Sequence, residues 1–372
     1  MTSALSLLAA LFAPIAEAAD VTELAPMLRG DVQIRYDIDA ERARLLEGET
    51  VVGKRALTDH VLTWSGSFSF YTGAALFMEL PQYASSRIRF REAQSAGFDP
   101  VNDAGIFDGT PSLGDPDPTL GKGLGGTWLG LRGSPYHEQL FADRGDRASV
   151  LLEAAYRFQD QTNLWSYGPR GERGAGPGGA AFRLRGAFST THRSAQPYLV
   201  ATWVRPTGIQ MDVTDASDRV IASGRFTPAS DLELLAGAEL TVSEYQDGGR
   251  VNLDFRGRFG YRSWQDIPSG LYLPDVLNGT DGQTATESEY AYLTGSFGVN
   301  WRMVHYLQLN VAGDFGFATP RTVEHFYPVT TGLDTMVWGV TTSLRFRIRD
   351  DLFAKAKPAV AADPAMPTSA PY

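Results

Sequence analysis

TMVWGVTTSLRFRIR, residues Thr335–Arg349, is the stretch on which the fold turns. Met336, Trp338, Val340, Thr342, Leu344, Phe346 and Ile348 share one parity. Thr335, Val337, Gly339, Thr341, Ser343, Arg345, Arg347 and Arg349 share the other. A β-strand sends successive side chains to opposite faces, so this is a strand with one apolar face and one face of small residues and arginine. Either a second sheet or the hydrocarbon of a bilayer could cover the apolar face. The rest of the chain favours the bilayer, with the arginine face turned into a barrel lumen.

The same alternation recurs along the chain. Asp31–Glu41 sets Val32, Ile34, Tyr36 and Ile38 against Gln33, Arg35, Asp37, Asp39 and Glu41. His60–Phe70 sets Leu62, Trp64, Phe68 and Phe70 against Thr63, Ser65, Ser67 and Ser69. After a Thr72-Gly73 turn, Ala75–Arg91 sets Leu76, Met78, Leu80, Ile88 and Phe90 against Glu79, Tyr83, Ser85, Arg87, Arg89 and Arg91, with Pro81 marking an edge or bulge. Further strands are expected at Gly126–Arg132, Ala148–Gln159, Ala181–Thr190, Gln196–Arg205, Leu232–Val242, Val251–Tyr261, Tyr290–Trp301, Leu307–Phe317 and Met336–Ile348. That makes about twelve strands, or fourteen if Arg219–Phe226 and a partner join the wall.

The connections carry the topology. Those near residues 72, 192, 247 and 304 are short, and the one near 140 is intermediate. Those near 50, 107, 169, 217, 276 and 326 are expected to be longer. Short and long alternate, as in an all-β, up-and-down, antiparallel transmembrane barrel with short periplasmic turns and long outer loops. A Greek-key sandwich has no reason to alternate this way. With an even strand count, both chain ends fall on the periplasmic side.

Composition agrees. Among 372 residues there is no Cys, which excludes a disulfide framework and thiolate metal sites. The net charge of −10 argues against a nucleic-acid binder. Mean hydropathy is −0.19, and no apolar run after the N-terminus is long enough for a membrane helix. A barrel strand needs only about 9–11 alternating residues, so neutral hydropathy is compatible with spanning. The apolar run Ala4–Ile15 followed by Ala16-Glu17-Ala18 reads as a secretory signal over residues 1–18, although no Lys or Arg precedes it. Residues 19–30 would form a periplasmic lead, 31–353 the barrel, and the Ala/Pro-rich segment 354–372 a disordered tail.

The arginines are the strongest chemical signal. The inferred inner face holds Arg35, Arg87, Arg89, Arg91, Arg157, Arg183, Arg185, Arg256, Arg258, Arg262, Arg302, Arg345, Arg347 and Arg349. It holds fewer acids: Asp37, Asp39, Glu41, Glu79, Glu153, Glu233, Glu239, Asp254 and Asp314. A basic lumen is therefore expected, suited to carboxylates and phosphates. The alternative is that Arg–acid ladders merely brace a narrow barrel. Trp64, Phe68, Phe70, Trp128, Tyr156, Phe255, Phe259, Tyr261, Phe297, Trp301 and Trp338 are assigned to the lipid face. Asp99–Gly121 gathers five aspartates without EF-hand spacing and reads as a solvated outer loop, so no metal or other cofactor is expected. No G-x-S-x-G, H-E-x-x-H or phosphate loop is present, and none of the five histidines sits in a nucleophile arrangement; catalysis is not expected.

These features resemble a Gram-negative outer-membrane β-barrel. More narrowly, Trp64–Pro81 (WSGSFSFYTGAALFMELP) and Gly123–Gly133 (GLGGTWLGLRG) resemble segments of barrels for hydrophobic compounds: long-chain fatty acid transporters and those encoded with phenol-degradation pathways. Fatty acid transporters plug the lumen with an N-terminal hatch of some tens of residues, whereas only Ala19–Gly30 precedes the first strand here. Together with the strand count and the inner arginines, the resemblance leads to the expectation of a monomeric channel passing a small hydrophobic or anionic solute through a narrow Arg-rich lumen. Its partners would be outer-membrane lipids, lipopolysaccharide and the barrel-assembly machinery. A non-conducting structural or adhesive barrel is the alternative.

Overall fold

The computed structural model describes residues 29–92, 120–136, 148–159, 176, 179–192, 194–214, 220–245, 249–268, 284–304, 306–324 and 329–348. The signal, most of the lead, the tail and residues 99–119 of the acidic loop lie outside them. So does Arg349.

Twelve antiparallel strands close into a barrel. In wall order they are β1 (Arg29–Glu47), β2 (Thr50–Tyr71), β3 (Ala74–Glu92), then β4 (Leu120–Leu124) and β5 (Trp128–Tyr136) as one interrupted strand, followed by β6 (Ala148–Arg157), β7 (Ala181–Thr190) and β8 (Ala195–Pro206). After the short β9 (Ile209–Thr214) and β10 (Val220–Phe226) come β11 (Asp231–Glu244), β12 (Arg250–Arg262), β15 (Tyr290–Val304), β16 (Leu307–Ala318) and β19 (Thr335–Ile348). β19 returns to β1, pairing Gly30 with Ile348 and Arg42 with Met336. Closure removes the free edges that an open sheet would expose. Within the wall each strand's expected neighbours are its actual ones.

The remaining strands extend the wall on the long-connection side. β13 (Gln265–Pro268), β14 (Thr284–Glu287), β17 (Thr322–Glu324) and β18 (Val329–Thr331) pair in that order, and β18 rejoins β1. Among the described residues β9 and β10 pair with each other and with no wall strand, so Val220–Phe226 of the segment expected at 219–226 forms a hairpin and not a further wall strand.

Two expectations about local structure are corrected. The connection near residue 50 is a tight turn at Gly48-Glu49, with Gly48 at φ 60°, because β1 and β2 continue for 19 and 22 residues. At about 3.3 Å per residue they outrun a hydrocarbon layer of roughly 25–30 Å even when tilted. The apolar alternation fades where they leave it, so that part of the sequence reads as loop. The second correction is a slip of register in β3. Val61 pairs with Tyr83 but His60 pairs with Ser85, leaving Ala84 as a bulge. One extra residue exchanges the two faces of everything beyond it. Ser86 is therefore buried and Arg87 exposed, the reverse of its expected lumenal position. Arg89 and Arg91 follow in register opposite Ala56 and Lys54; their side chains lie outside the described residues. Pro81 contributes to the irregularity. Its carbonyl accepts the Gly125 N–H at 2.9 Å, so the N–H it lacks would have pointed to the same neighbour. Residues 125–127 separate β4 from β5 at that place.

Candidate functional site

Alternation puts large apolar side chains outside and polar ones inside. Trp64, Phe68, Phe255, Phe259, Phe297 and Trp301 are each more than two-fifths exposed, as are Leu131, Leu152, Leu184 and Leu293. In a soluble protein this would be an aggregation surface; in a bilayer it is the lipid-facing band. The interior begins near the short turns with an apolar cluster of Ala75, Leu151, Ala187, Tyr198, Val200 and Leu235. Ionic layers lie along the rest of it.

One layer joins β3, β5, β6 and β7. Glu153 lies opposite both Arg132 and Arg185 in the ladder, which brings their side chains to one height. Arg183 donates from Nη1 and Nη2 to the two oxygens of Glu79, both at 3.0 Å, and its Nη2 lies 2.8 Å from Glu153 Oε1. Arg132 donates from Nε to Glu153 Oε2 at 2.7 Å. The same guanidiniums lie over aromatic rings: Arg132 is 4.0 Å from the Phe77 centroid and Arg183 is 4.7 Å from that of Trp128. Trp128 is thus an interior residue, not a lipid-facing one. It shares parity with Arg132, and both belong inside.

A second layer lies toward the long connections. Arg321 Nε is 2.7 Å from Glu287 Oε1, Arg321 Nη2 is 2.5 Å from Glu41 Oε1, and Arg55 also pairs with Glu41. Gln265 donates to Glu287 at 2.6 Å, and the Arg321 guanidinium covers the Tyr290 ring at 4.5 Å. Nearer the short turns Arg256 pairs with Asp254, Tyr198 donates to Asp254 at 2.8 Å, and Asn252 and Asn300 donate to Glu239. Arg258 lies 3.7 Å from Glu233, Arg262 3.5 Å from Asp231, and Arg345 2.6 Å from Asp31.

The structure therefore brings Glu79, Glu153, Arg183 and Arg185 together, and separately Asp254 with Arg256. Arg258, Arg262 and Arg345 each meet their own acid, and Arg347 is half-buried at the short-turn end. Sequence reading missed Arg55, Arg321, Glu287 and Gln265, because they lie in extensions that carry no long apolar alternation. It missed Phe77, Tyr198, Tyr290 and Tyr292, which are buried inside. The Phe77, Tyr198 and Tyr292 rings occupy the space above Gly130, Gly237 and Gly260, where a Cβ would overlap them. Glycine on the inner parity of a neighbouring strand was the available signal.

The excess of base in the interior is smaller than the sequence suggests among the described residues: Asp31, Asp59, Asp231 and Glu287 join the interior acids while Arg87 leaves. The arginines are also packed, not open. Arg55, Arg258, Arg262 and Arg321 are among the most deeply buried side chains. Burying an ion is costly unless a counter-ion accompanies it, and that requirement sets the pairing.

No known protein family matches the sequence, and no curated protein does. Solved structures do match. An outer-membrane channel from Pseudomonas putida F1 is similar with a TM-score of 0.51 at 12% identity, over 88% of this chain and 98% of that one. A FadL homologue from Pseudomonas aeruginosa matches at 0.40 and 10%, over 86% and 90%. A deletion mutant of the TodX monoaromatic hydrocarbon channel matches at 0.41 and 10%, over 87% and 91%. At these identities the likeness is one of fold: a closed antiparallel β-barrel of the kind that outer-membrane proteins adopt.

Proposed function

We propose that this chain is a monomeric outer-membrane channel for passive passage of a small hydrophobic or anionic solute, working without a cofactor and without chemistry. The observation that carries this reading is a closed twelve-strand wall around an interior of paired ions and amides. Such an interior tolerates water, whereas a merely anchoring barrel needs only apolar filling. Eight strands leave room for little but side chains, and sixteen enclose an open aqueous pore. Twelve lies between, so passage is narrow and requires side chains to move. Arg132 and Arg183, backed by Phe77 and Trp128, offer guanidinium and ring surfaces side by side. Such a surface accepts a carboxylate or a flat apolar group.

The depth at which Arg55, Arg258, Arg262 and Arg321 are buried favours a second reading, a non-conducting structural barrel. Single-channel recording in planar bilayers separates the two. The channel reading expects small, brief openings in the wild type and larger ones in the double variant Glu79→Ala/Arg183→Ala. No openings in either protein across many insertions would establish the structural reading.

A further inference from the structure

The slip of register at Ala84 has a consequence outside the barrel. Beyond it, the rows paired across β1, β2 and β3 read Ala40–Thr58–Arg87, Arg42–Ala56–Arg89 and Arg44–Lys54–Arg91. The rows stand about 7 Å apart along the strands. Arg42, Arg44, Lys54 and Arg87 are exposed, and Lys122 on the adjoining β4 is exposed as well. Asp334 pairs with Arg44 at 2.7 Å on this face. Glu47 and Glu49 lie farther out, at the hairpin tip.

The height of this face matters. Immediately below it Tyr36 and His60 are joined by a 2.8 Å hydrogen bond. Below them the same three strands present Trp64, Phe68, Phe70, Leu76 and Met78 outward. From Tyr71 to Val61 the chain covers about the span that crosses a bilayer core. The Tyr36–His60 pair thus marks the hydrocarbon boundary, and the basic rows begin one row above it, where lipid phosphates lie. They stand on the long-connection side, which in such barrels is extracellular.

We infer that the outward face of β1–β3 above the apolar band binds the phosphate groups of lipopolysaccharide, the anionic glycolipid of the outer leaflet. Guanidinium and ammonium groups held at fixed spacing on a rigid wall meet paired phosphates with charge-assisted hydrogen bonds. The wall beneath holds the acyl chains of the same molecule. The inference depends on the placement of the membrane band and not on whether the interior conducts.

The test uses full-length folded protein in mild detergent, titrated with lipid A and followed by native electrophoresis. Arg42→Ala/Lys54→Ala/Arg87→Ala should weaken binding at least tenfold while leaving single-channel behaviour and resistance to heat in dodecyl sulfate unchanged. Lipid A stripped of its phosphates should bind the wild type as weakly as intact lipid A binds the variant. That second arm holds even if the triple variant does not fold. Equal affinity of variant and wild type would overturn the inference. So would equal affinity for dephosphorylated lipid A, or full competition by phosphatidylglycerol vesicles, which would mark a surface for any anion.

Discussion

At the residue scale, the interior is governed by the cost of an uncompensated ion. Glu79 accepts both Arg183 hydrogen bonds and lies 3.4 Å from Arg132, with the three side chains largely buried. Glu79→Ala leaves two guanidiniums with only Glu153 to share. A loss of about 3–5 kcal/mol is expected in urea-unfolding experiments. Glu79→Leu/Arg183→Met removes both charges and should recover most of it; no recovery would mean that shape, not charge, sets the cost. The glycines give a second contrast. A Cβ at Gly295 meets open space on the lipid side, whereas one at Gly260 overlaps the Tyr292 ring. Gly295→Ala should leave stability within about 0.5 kcal/mol of the wild type. Gly260→Ala should cost about 1–3 kcal/mol by overpacking. Equal melting behaviour of the two variants would remove the ring-over-glycine packing as a source of stability.

At the element scale, β3 shows how one residue redirects a strand. Ala84 places Arg87 outside; deleting it restores simple pairing and turns Arg87 inward. The chain has no Cys, so labelling is clean. Arg87→Cys should react fully with a membrane-impermeant maleimide added to intact cells, and the same substitution in a chain lacking Ala84 should react at least tenfold more slowly. Equal rates would place the bulge elsewhere. The alternation along β3 was legible in the sequence, but the slip was not. Pro81 flags that something happens near it without saying which residue is extra, since Ala84, Ser85 and Ser86 are all small and fit either face. The opposite error occurred in β5, where Trp128 was sent outward as an aromatic. Parity with Gly130 and Arg132 placed it inside, and a guanidinium to stack on makes an inner tryptophan favourable.

For the whole molecule, closure is the feature to test. Tyr36 and Thr342 lie opposite each other across the β1–β19 seam on its outer face. Directly opposed residues in antiparallel strands stand about 4.5–5.5 Å apart at Cα, within reach of a disulfide. Tyr36→Cys/Thr342→Cys should oxidise to an intramolecular crosslink in the folded protein and not in the unfolded chain. Dimers alone, or free thiols, would mean an open sheet. A barrel so closed, with its interior guanidiniums met by carboxylates, should also show weak ion selectivity if it conducts. In a tenfold KCl gradient the reversal potential should lie nearer zero than the Nernst limit of either ion.

Twelve as the leading count of wall strands, their order and, apart from Trp128 and the part of β3 beyond Ala84, the division into lipid and lumen faces came from the sequence alone. They are local properties, written in a two-residue period and in the alternation of short and long connections. Three things awaited the tertiary structure: the exchange of faces beyond Ala84, the continuation of β1 and β2 past the membrane, and the pairing of the interior ions. Each depends on which strand lies beside which. A guanidinium in a closed space is matched by whatever acid its neighbours present, and Glu41, Arg55, Glu287 and Arg321 meet only after distant segments have come round the barrel to one height.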